Sequence, residues 1–276
     1  MNKVLILGAS GYVGARIKQD LEDSGLIVQG TYSSNKLSND LIPLNITDKN
    51  DVSKVIDKVR PDIIIHSANN HSSKWCEENK EMAYQLNTVS TGFIVDETNK
   101  YNIKLIYIST MGAIDPTNFY QNTKSDSETI IKTQCKTDFA ILRPSIGIGI
   151  SPNKTTENLY NTALKKYLNG EVITADTSLK FQPTYLGHIS QVIKQLIDKE
   201  LWNKTIPIST EVEKSKYDVL NDIFGKLGGK VIKEDLNRTP FNSIKDIDRQ
   251  LKEFGLPTLD YSQLVDKCVS EISKPK

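Results

Sequence analysis

The chain has 276 residues, of which 38% are hydrophobic and 25% are charged, the composition of an ordinary soluble globular protein. Its 35 basic and 34 acidic residues leave a net charge of +1, which argues against nucleic acid or an anionic membrane as the main partner. The three cysteines and three histidines lack the spacing of a disulfide framework or a metal site. No apolar run reaches the roughly 18 residues of a membrane span. We therefore predict a cytoplasmic protein with reduced cysteines and without a metal.

The first 145 residues alternate short apolar runs with amphipathic segments. The first apolar run, at 3–7, is broken at once by glycine and serine, which indicates a strand and not a secretory leader. Further strands are predicted at 27–32, 62–66, 104–109 and 139–143. Apolar residues at helical spacing predict four helices: one after Gly11, one from Thr47 or Asp48 to Pro61, one around 83–94 and one at about 120–134. This alternation predicts an α/β fold with a doubly wound parallel sheet of Rossmann type over residues 1–150.

After Pro144 the alternation loosens. Helical stretches are predicted near 155–169, 187–198, 215–227, 243–254 and 260–272, with a short strand at 205–208. We therefore expect residues 151–276 to form a smaller substrate-binding lobe, part of which returns a strand to the sheet. Pattern alone does not distinguish an exposed helical face from one buried between subunits, so the oligomeric state, a homodimer included, stays open.

A glycine-rich turn follows the first predicted strand directly. Residues 8–14 are GASGYVG, and a predicted helix begins within them. In that setting Gly8 permits a tight turn, Gly11 lets the backbone approach a pyrophosphate without an intervening Cβ, and Gly14 lets the helix pack closely on the strand. The N-terminus of the helix then presents free N–H groups and a partial positive charge to the anion. The motif predicts a dinucleotide site.

The end of the second predicted strand indicates which dinucleotide binds. An NAD site usually places an acidic residue there to hold the ribose hydroxyls. This chain has no carboxylate between Asp23 and Asp40, and it offers Ser33, Ser34 and Lys36 as donors to a 2′-phosphate. The segment favours NADP(H) over NAD(H).

Tyr120 and Lys124 form a YxxxK pair on the helix that follows the fourth strand. Residues four apart lie on one face of a helix, so an ammonium there is expected to lower the pKa of the phenol and make it usable in proton transfer. Ser109 and Thr110 stand at the carboxyl end of the preceding strand, where sheets of this kind bind ligands. A hydroxyl at that position can hydrogen-bond a substrate carbonyl.

Together these motifs resemble the extended short-chain dehydrogenase/reductase superfamily, and within it the dTDP-4-dehydrorhamnose reductase group. The likeness covers about residues 3–200. It is carried further by the segments LNITD (44–48), PDIIIHSA (61–68), CEEN (76–79), AYQLN (83–87), YIST (107–110), LRPS (142–145) and FQPTY (181–185).

The resemblance implies an NADP(H)-dependent reductase of a keto group on a nucleotide-activated deoxysugar. Tyr120 would give a proton to the carbonyl oxygen as hydride arrives from the nicotinamide, and Lys124 would hold the nicotinamide ribose and tune Tyr120. Thr110, in preference to Ser109, would hydrogen-bond the carbonyl oxygen. The remaining cofactor contacts that the family implies are the pyrophosphate cradle of Gly8, Ser10, Gly11, Tyr12, Val13 and Gly14, the adenine neighbours Asn45 and Ile46, and the middle of the site at Ser67, Ala68 and Asn69.

Two departures from the group leave the substrate open. Met111 replaces the group's aspartate, and Tyr120 follows Thr110 by only ten positions, a shorter loop than the group has. Two alternatives remain beside the reductase. One is an NAD-dependent nucleotide-sugar epimerase or dehydratase, which usually carries an acidic residue after the second strand. The other is a non-catalytic NADP(H)-binding regulatory subunit.

Overall fold

A computed structural model describes residues 2–274 of the chain. The strands are β1 (Lys3–Leu7), β2 (Ile27–Tyr32), β3 (Ile42–Pro43), β4 (Ile63–His66), β5 (Lys104–Ile108), β6 (Phe139–Pro144), β7 (Gly147–Ile148), β8 (Ile173–Asp176), β9 (Lys180–Phe181), β10 (Thr184–Tyr185), β11 (Lys204–Ile208), β12 (Lys214–Ser215) and β13 (Val231–Glu234).

The α-helices are α1 (Tyr12–Asp23), α2 (Lys49–Val59), α3 (Ser73–Glu78), α4 (Lys80–Tyr84), α5 (Ser90–Tyr101), α6 (Phe119–Gln134), α7 (Leu159–Leu168), α8 (Leu186–Asp198), α9 (Lys216–Leu220), α10 (Ile247–Glu253) and α11 (Tyr261–Ser273). Single π-helical turns continue α4 at Gln85–Val89 and α9 at Asn221–Gly225, and a 3₁₀ turn follows β5 at Met111–Ala113. Among residues 2–274, no helix has both the length and the apolar character needed to cross a membrane.

Seven strands form one parallel sheet in the order β11-β6-β5-β4-β1-β2-β3. The order reverses beside β1, which pairs with β2 on one side and with β4 on the other. At such a reversal the following connections leave to opposite faces, so a crevice opens at the carboxyl ends of the strands. The predicted doubly wound, Rossmann-type sheet is confirmed.

Each face of the sheet carries its own hydrophobic core. Within β4, Ile63 and Ile65 pack on the face covered by α1 and α8, whereas Ile64 packs on the face covered by α2 and α5. This alternation follows from the two-residue period of a strand, and burial on both faces accounts for the unbroken apolar run. The sheet edge that carries the crevice is therefore held rigidly from both sides.

The predicted helices of the first half are present, with sharper boundaries. Asp48 caps α2, because its carboxylate accepts hydrogen bonds from Asn50 N at 2.8 Å and Asp51 N at 3.3 Å. The helix expected around 83–94 belongs to a longer helical run, which includes α3 and α4 and passes through the π turn at Gln85–Val89 into α5. The two-residue strand β3 has no counterpart in the prediction.

The second half contributes to both parts of the molecule. β11 pairs in parallel with β6 and completes the large sheet, and α8 packs against α1 in the core of one face. Three two-stranded sheets, β7 with β10, β8 with β13 and β9 with β12, surround a third hydrophobic cluster. These strands have two to four residues, too few to show a period of two in the sequence. The helix expected at 243–254 is wrong at its start, since α10 begins at Ile247.

Candidate active site

A cleft of about 1100 Å³ lies at the carboxyl ends of β1, β2, β4 and β5. It brings together most of the side chains singled out in the sequence. The residues of that set that line it are Gly8, Ser10, Gly11, Tyr12, Val13, Gly14, Ser33, Ser34, Asn45, Ile46, Ser67, Ala68, Asn69, Ser109, Thr110 and Tyr120. Lys36 and Lys124 do not line it.

The three motif glycines differ in what surrounds them. Gly8 has a φ of +82°, and a Cβ there would stand 2.7 Å from the Cα of Ala68. A Cβ on Gly14 would overlap the carbonyl oxygen of Gly8 and stand 2.7 Å from Ser67 Oγ. A Cβ on Gly11, in contrast, would have only Gly8 O within 4 Å among residues 2–274, at 3.2 Å. Gly8 and Gly14 therefore shape the turn, whereas Gly11 opens onto the cleft.

The start of α1 is arranged to receive an anion. Its N-cap is Gly11, which offers no capping side chain, and its first turn carries no acidic residue. The N–H groups of that turn and the positive end of the helix dipole are therefore left for a ligand. The open space at Gly11 and these free donors fit the pyrophosphate of a dinucleotide.

Residues from the second half hold the glycine turn in place. Asn153 Nδ2 donates to Ser10 O at 2.6 Å, and Ser151 Oγ donates to Tyr12 O at 2.7 Å. The hydroxyl of Tyr12 is itself used, because it donates to Gly149 O at 2.6 Å. These three bonds anchor the glycine turn and the start of α1 to the second half of the chain.

The end of the cleft near β2 is polar and has no carboxylate among its lining residues. Ser33, Ser34 and Asn35 line it. Asn35 Nδ2 also donates to Thr155 Oγ1 at 3.3 Å, which links this end to the second half of the chain. Lys36 is exposed and lies next to this end in sequence.

At the opposite end, the structure separates the roles of Ser109 and Thr110. Ser109 Oγ donates to Glu128 Oε1 at 2.7 Å, and Glu128 is held by Arg143 Nε at 2.8 Å, so the Ser109 proton is occupied. Thr110 Oγ1 accepts from Gly112 N at 3.3 Å, which leaves its own proton free to point into the cleft. Met111 packs into the hydrophobic core and places no charge beside Thr110.

Tyr120 enters the cleft from the first turn of α6, which Asn118 caps through a hydrogen bond from Gln121 N to Asn118 Oδ1 at 3.1 Å. Burial raises the pKa of the Tyr120 phenol well above its usual value. The expectation that Lys124 lowers this pKa is wrong for the structure described here, because the Lys124 ammonium is directed elsewhere. The phenol is fully protonated at neutral pH.

Lys124 is 1% exposed and lies beneath the floor of the cleft. Its Nζ donates to Ile108 O at 2.7 Å and stands 4.0 Å from the centre of the Tyr107 ring. Burial lowers the pKa of this ammonium to about 7, although the nearby Glu128 acts in the opposite direction. Lys124 is thus close to half-charged near neutral pH.

Lys124→Met is expected to change how stability depends on pH. The pKa of Lys124 is about 7 in the folded protein and roughly 10.4 in an unfolded chain. Between these values the unfolded chain binds one more proton, so this lysine makes the wild-type free energy of unfolding rise with pH, by up to about 1.4 kcal/mol per unit. Urea unfolding between pH 7 and 10 should show that rise flattened in Lys124→Met and kept in the exposed control Lys54→Met. If the free energy of unfolding depended on pH in the same way in wild type and in Lys124→Met, the burial of the Lys124 ammonium would be contradicted.

Sequence reasoning missed the outer wall of the cleft. That wall comes from the second half, at Asn153, Thr156, Asn158 and Gln182 and at residues 239–244. Residues 239–244 belong to no helix or strand, so they carry no hydrophobic period. The only signal available was their composition, Thr-Pro-Phe-Asn-Ser-Ile, which is typical of a loop.

The fold and this cleft define a Rossmann-type protein of the extended short-chain dehydrogenase/reductase superfamily, a class of NAD(P)-dependent oxidoreductases. Residues 1–272 match the family described as the RmlD substrate binding domain, and the chain belongs to that family. The class expected from the motifs is thereby confirmed.

Similar proteins include both enzymes and a subunit of an enzyme. A dTDP-4-dehydrorhamnose reductase of Aggregatibacter actinomycetemcomitans is 24% identical over an aligned length of 296 residues, gaps included. The alignment covers 95% of this chain and 97% of that protein. Methionine adenosyltransferase 2 subunit beta of Danio rerio is 24% identical over 235 residues, covering 79% of this chain and 71% of that protein. The crystal structure of a dTDP-4-dehydrorhamnose reductase from Bacillus anthracis in complex with NADP superposes with a TM-score of 0.80 at 22% identity, over 98% of this chain and 99% of the other.

Proposed function

We propose that the protein is an NADP(H)-dependent reductase of a keto group on a nucleotide-activated deoxysugar. The observation that carries this proposal is a single cleft in which an anion-binding glycine turn and the hydroxyls of Thr110 and Tyr120 face one space. A dinucleotide laid from the glycine turn along the strand ends would bring its reactive ring toward those two hydroxyls. Family membership and the similar reductases support the substrate class.

Each residue at the reacting end has a separate task. Bound NADPH would supply a hydride to the carbonyl carbon, and the chain must supply a proton to the oxygen. Tyr120 is suited to give that proton, because its phenol is protonated at neutral pH and faces the cleft. Thr110 donates a second hydrogen bond that holds the oxygen in place. Lys124, one turn further along α6, donates to Ile108 O and so fixes the end of β5 against α6 beneath these two hydroxyls.

NADPH is expected to bind more tightly than NADH. The polar, carboxylate-free end of the cleft at Ser33 and Ser34 does not repel a 2′-phosphate, and the exposed Lys36 side chain can reach toward one. Lys36→Ala should weaken NADPH by the roughly 1.5–3 kcal/mol of a charge-assisted hydrogen bond and leave NADH nearly unchanged. Calorimetric titration of both cofactors measures this, with Lys54→Ala as the exposed-lysine control. Equal affinity of the wild type for the two cofactors would overturn the preference.

The reductase itself is tested by incubating the purified protein with NADPH and a panel of nucleotide keto-sugars, and following the loss of NADPH absorbance. Oxidation of NADPH with at least one keto-sugar, and none with the corresponding reduced sugars, is the expected result. Release of tightly bound NAD on denaturation, with no consumption of added NADPH, would favour the epimerase or dehydratase.

A non-catalytic NADP(H)-binding subunit is the second candidate. It is favoured by one observation, the similarity to a subunit of methionine adenosyltransferase. Such a subunit would bind NADPH without oxidising it in the presence of any keto-sugar. The free hydroxyls of Thr110 and Tyr120 in the cleft argue for the reductase.

A further inference from the structure

Part of the outer wall of the cleft is formed by one irregular segment, residues 235–246, which joins β13 to α10 and is named here the outer strap. Residues 239–244 of the strap line the cleft across from Thr110 and Tyr120. Most of the strap is exposed, so an extensive hydrophobic core does not hold it. Within the strap Ile244 packs against the core of one sheet face, and particular hydrogen bonds fix the rest of the segment.

The first half of the strap is attached to a buried carboxylate. Asp176, 4% exposed, accepts hydrogen bonds at Oδ1 from Leu236 N at 3.3 Å and from Ser178 Oγ at 2.7 Å. Ser178 Oγ in turn accepts from Arg238 N at 2.9 Å. The other oxygen, Oδ2, has no hydrogen-bond partner in the described part of the chain and lies 3.8 Å from Arg238 Nε. Asp176 thus fixes the strap through two backbone positions and one charge.

The second half is attached to a buried amide. Gln182, 3% exposed, accepts at Oε1 from Ile244 N at 2.8 Å and donates from Nε2 to Ile244 O at 2.9 Å. Both backbone groups of Ile244 are therefore paired by one side chain. Between the two attachments, Phe241 N donates to Lys180 O at 3.0 Å.

The tip of the strap crosses to the loop between Thr110 and Tyr120. Asn242 Nδ2 donates to Asp115 Oδ2 at 2.8 Å, so the strap meets the loop that connects Thr110 to α6 and Tyr120. Phe241 lines the cleft beside this bridge and remains 41% exposed. An aromatic side chain with an uncovered face and a neighbouring amide are groups that contact a sugar ring and its hydroxyls.

We propose that the outer strap is the wall that selects the sugar, and that Asp176 and Gln182 are the positioning residues that hold it. The proposal rests on the proposed function for the identity of the ligand. The attachment of the strap is a property of the chain alone. Two separate measurements therefore test the two parts.

Trypsin tests the attachment without any substrate. The strap contains two exposed cleavage sites, after Arg238 and after Lys245. Asp176→Asn should speed cleavage there by about tenfold or more, because the strap opens more often when its charged acceptor is lost. Asp48→Asn is the matched control, since Asp48 accepts backbone N–H bonds at α2. Asn242→Ala, an exposed substitution that cuts only the bridge to Asp115, should also speed cleavage. Unchanged rates in both variants would overturn the attachment.

Steady-state kinetics test the wall. With the keto-sugar that the wild type reduces, Asp176→Asn and Asn242→Ala should raise KM about tenfold, while kcat and the Kd for NADPH stay within about twofold. A variant whose strap is cleaved faster by trypsin but whose KM for the sugar is unchanged would show that the strap is not the wall of the sugar site. If the wild type reduces no keto-sugar, the proposed function fails, and calorimetry with dTDP-glucose and UDP-glucose on NADP-saturated protein replaces the kinetics. Equal affinities of wild type and variants for these compounds would then show that the strap does not form the wall of the sugar site.

Discussion

Tyr120→Phe is expected to lower turnover by roughly the 10²- to 10⁴-fold that general acid catalysis supplies, with little change in cofactor affinity. The substitution removes one hydroxyl and almost no volume, and that hydroxyl has no hydrogen-bond partner among the described residues. Packing and folding should therefore be unaffected. Stopped-flow or steady-state oxidation of NADPH gives the rate, and calorimetry gives the cofactor Kd, which should stay within a few-fold.

Tyr84→Phe provides the matched control, because Tyr84 is 41% exposed on α4 and outside the cleft. It should leave both quantities at wild-type values. A Tyr120→Phe enzyme that reduces its sugar at the wild-type rate would show that the proton comes from another group.

Gly11→Val is expected to abolish cofactor binding in a chain that still folds. Gly11 has φ −75° and ψ 168°, an extended conformation that any residue adopts, and an added Cβ meets Gly8 O at 3.2 Å and no other described atom. The branched side chain would occupy the space where a pyrophosphate approaches the turn. Titration calorimetry with NADPH should detect no binding, while circular dichroism and the thermal unfolding midpoint stay near those of the wild type.

Two other glycines make this result specific. Gly92→Val lies on α5, where no atom of the described part of the chain is within 4 Å of an added Cβ, and this variant should bind NADPH normally. Gly14→Val should damage the fold itself, since its Cβ overlaps the Gly8 carbonyl. A folded Gly11→Val protein with unchanged affinity would place the cofactor elsewhere.

The parts of the site that depend on backbone pattern were predictable from the sequence. The glycine turn lies between a buried strand and a helix, and each of those elements has its own period, so the position of the turn follows. Ser109 and Thr110 were located in the same way, just past the end of a parallel strand, whereas Ser67–Asn69 were assigned from the family resemblance. These ends meet at one edge of the sheet wherever the fold forms.

Side-chain direction and non-local contacts were not predictable. The spacing of Tyr120 and Lys124 predicts a shared helical face, but it does not show that the ammonium bonds to Ile108 O beneath the cleft. The outer strap was missed because its order comes from Asp176 and Gln182, about sixty positions away in the chain. No local pattern encodes a contact of that kind.

The position of β11 has a consequence for how the protein is made. The chain emerges from the ribosome with residues 1–144 first, yet the sheet they form ends in an open edge at β6 until Lys204–Ile208 has been synthesised. One face of that sheet also lacks α8, the helix that covers α1. Until the later segment is synthesised, the first half therefore carries an unpaired strand edge and an uncovered apolar face, two features that favour association with neighbouring chains.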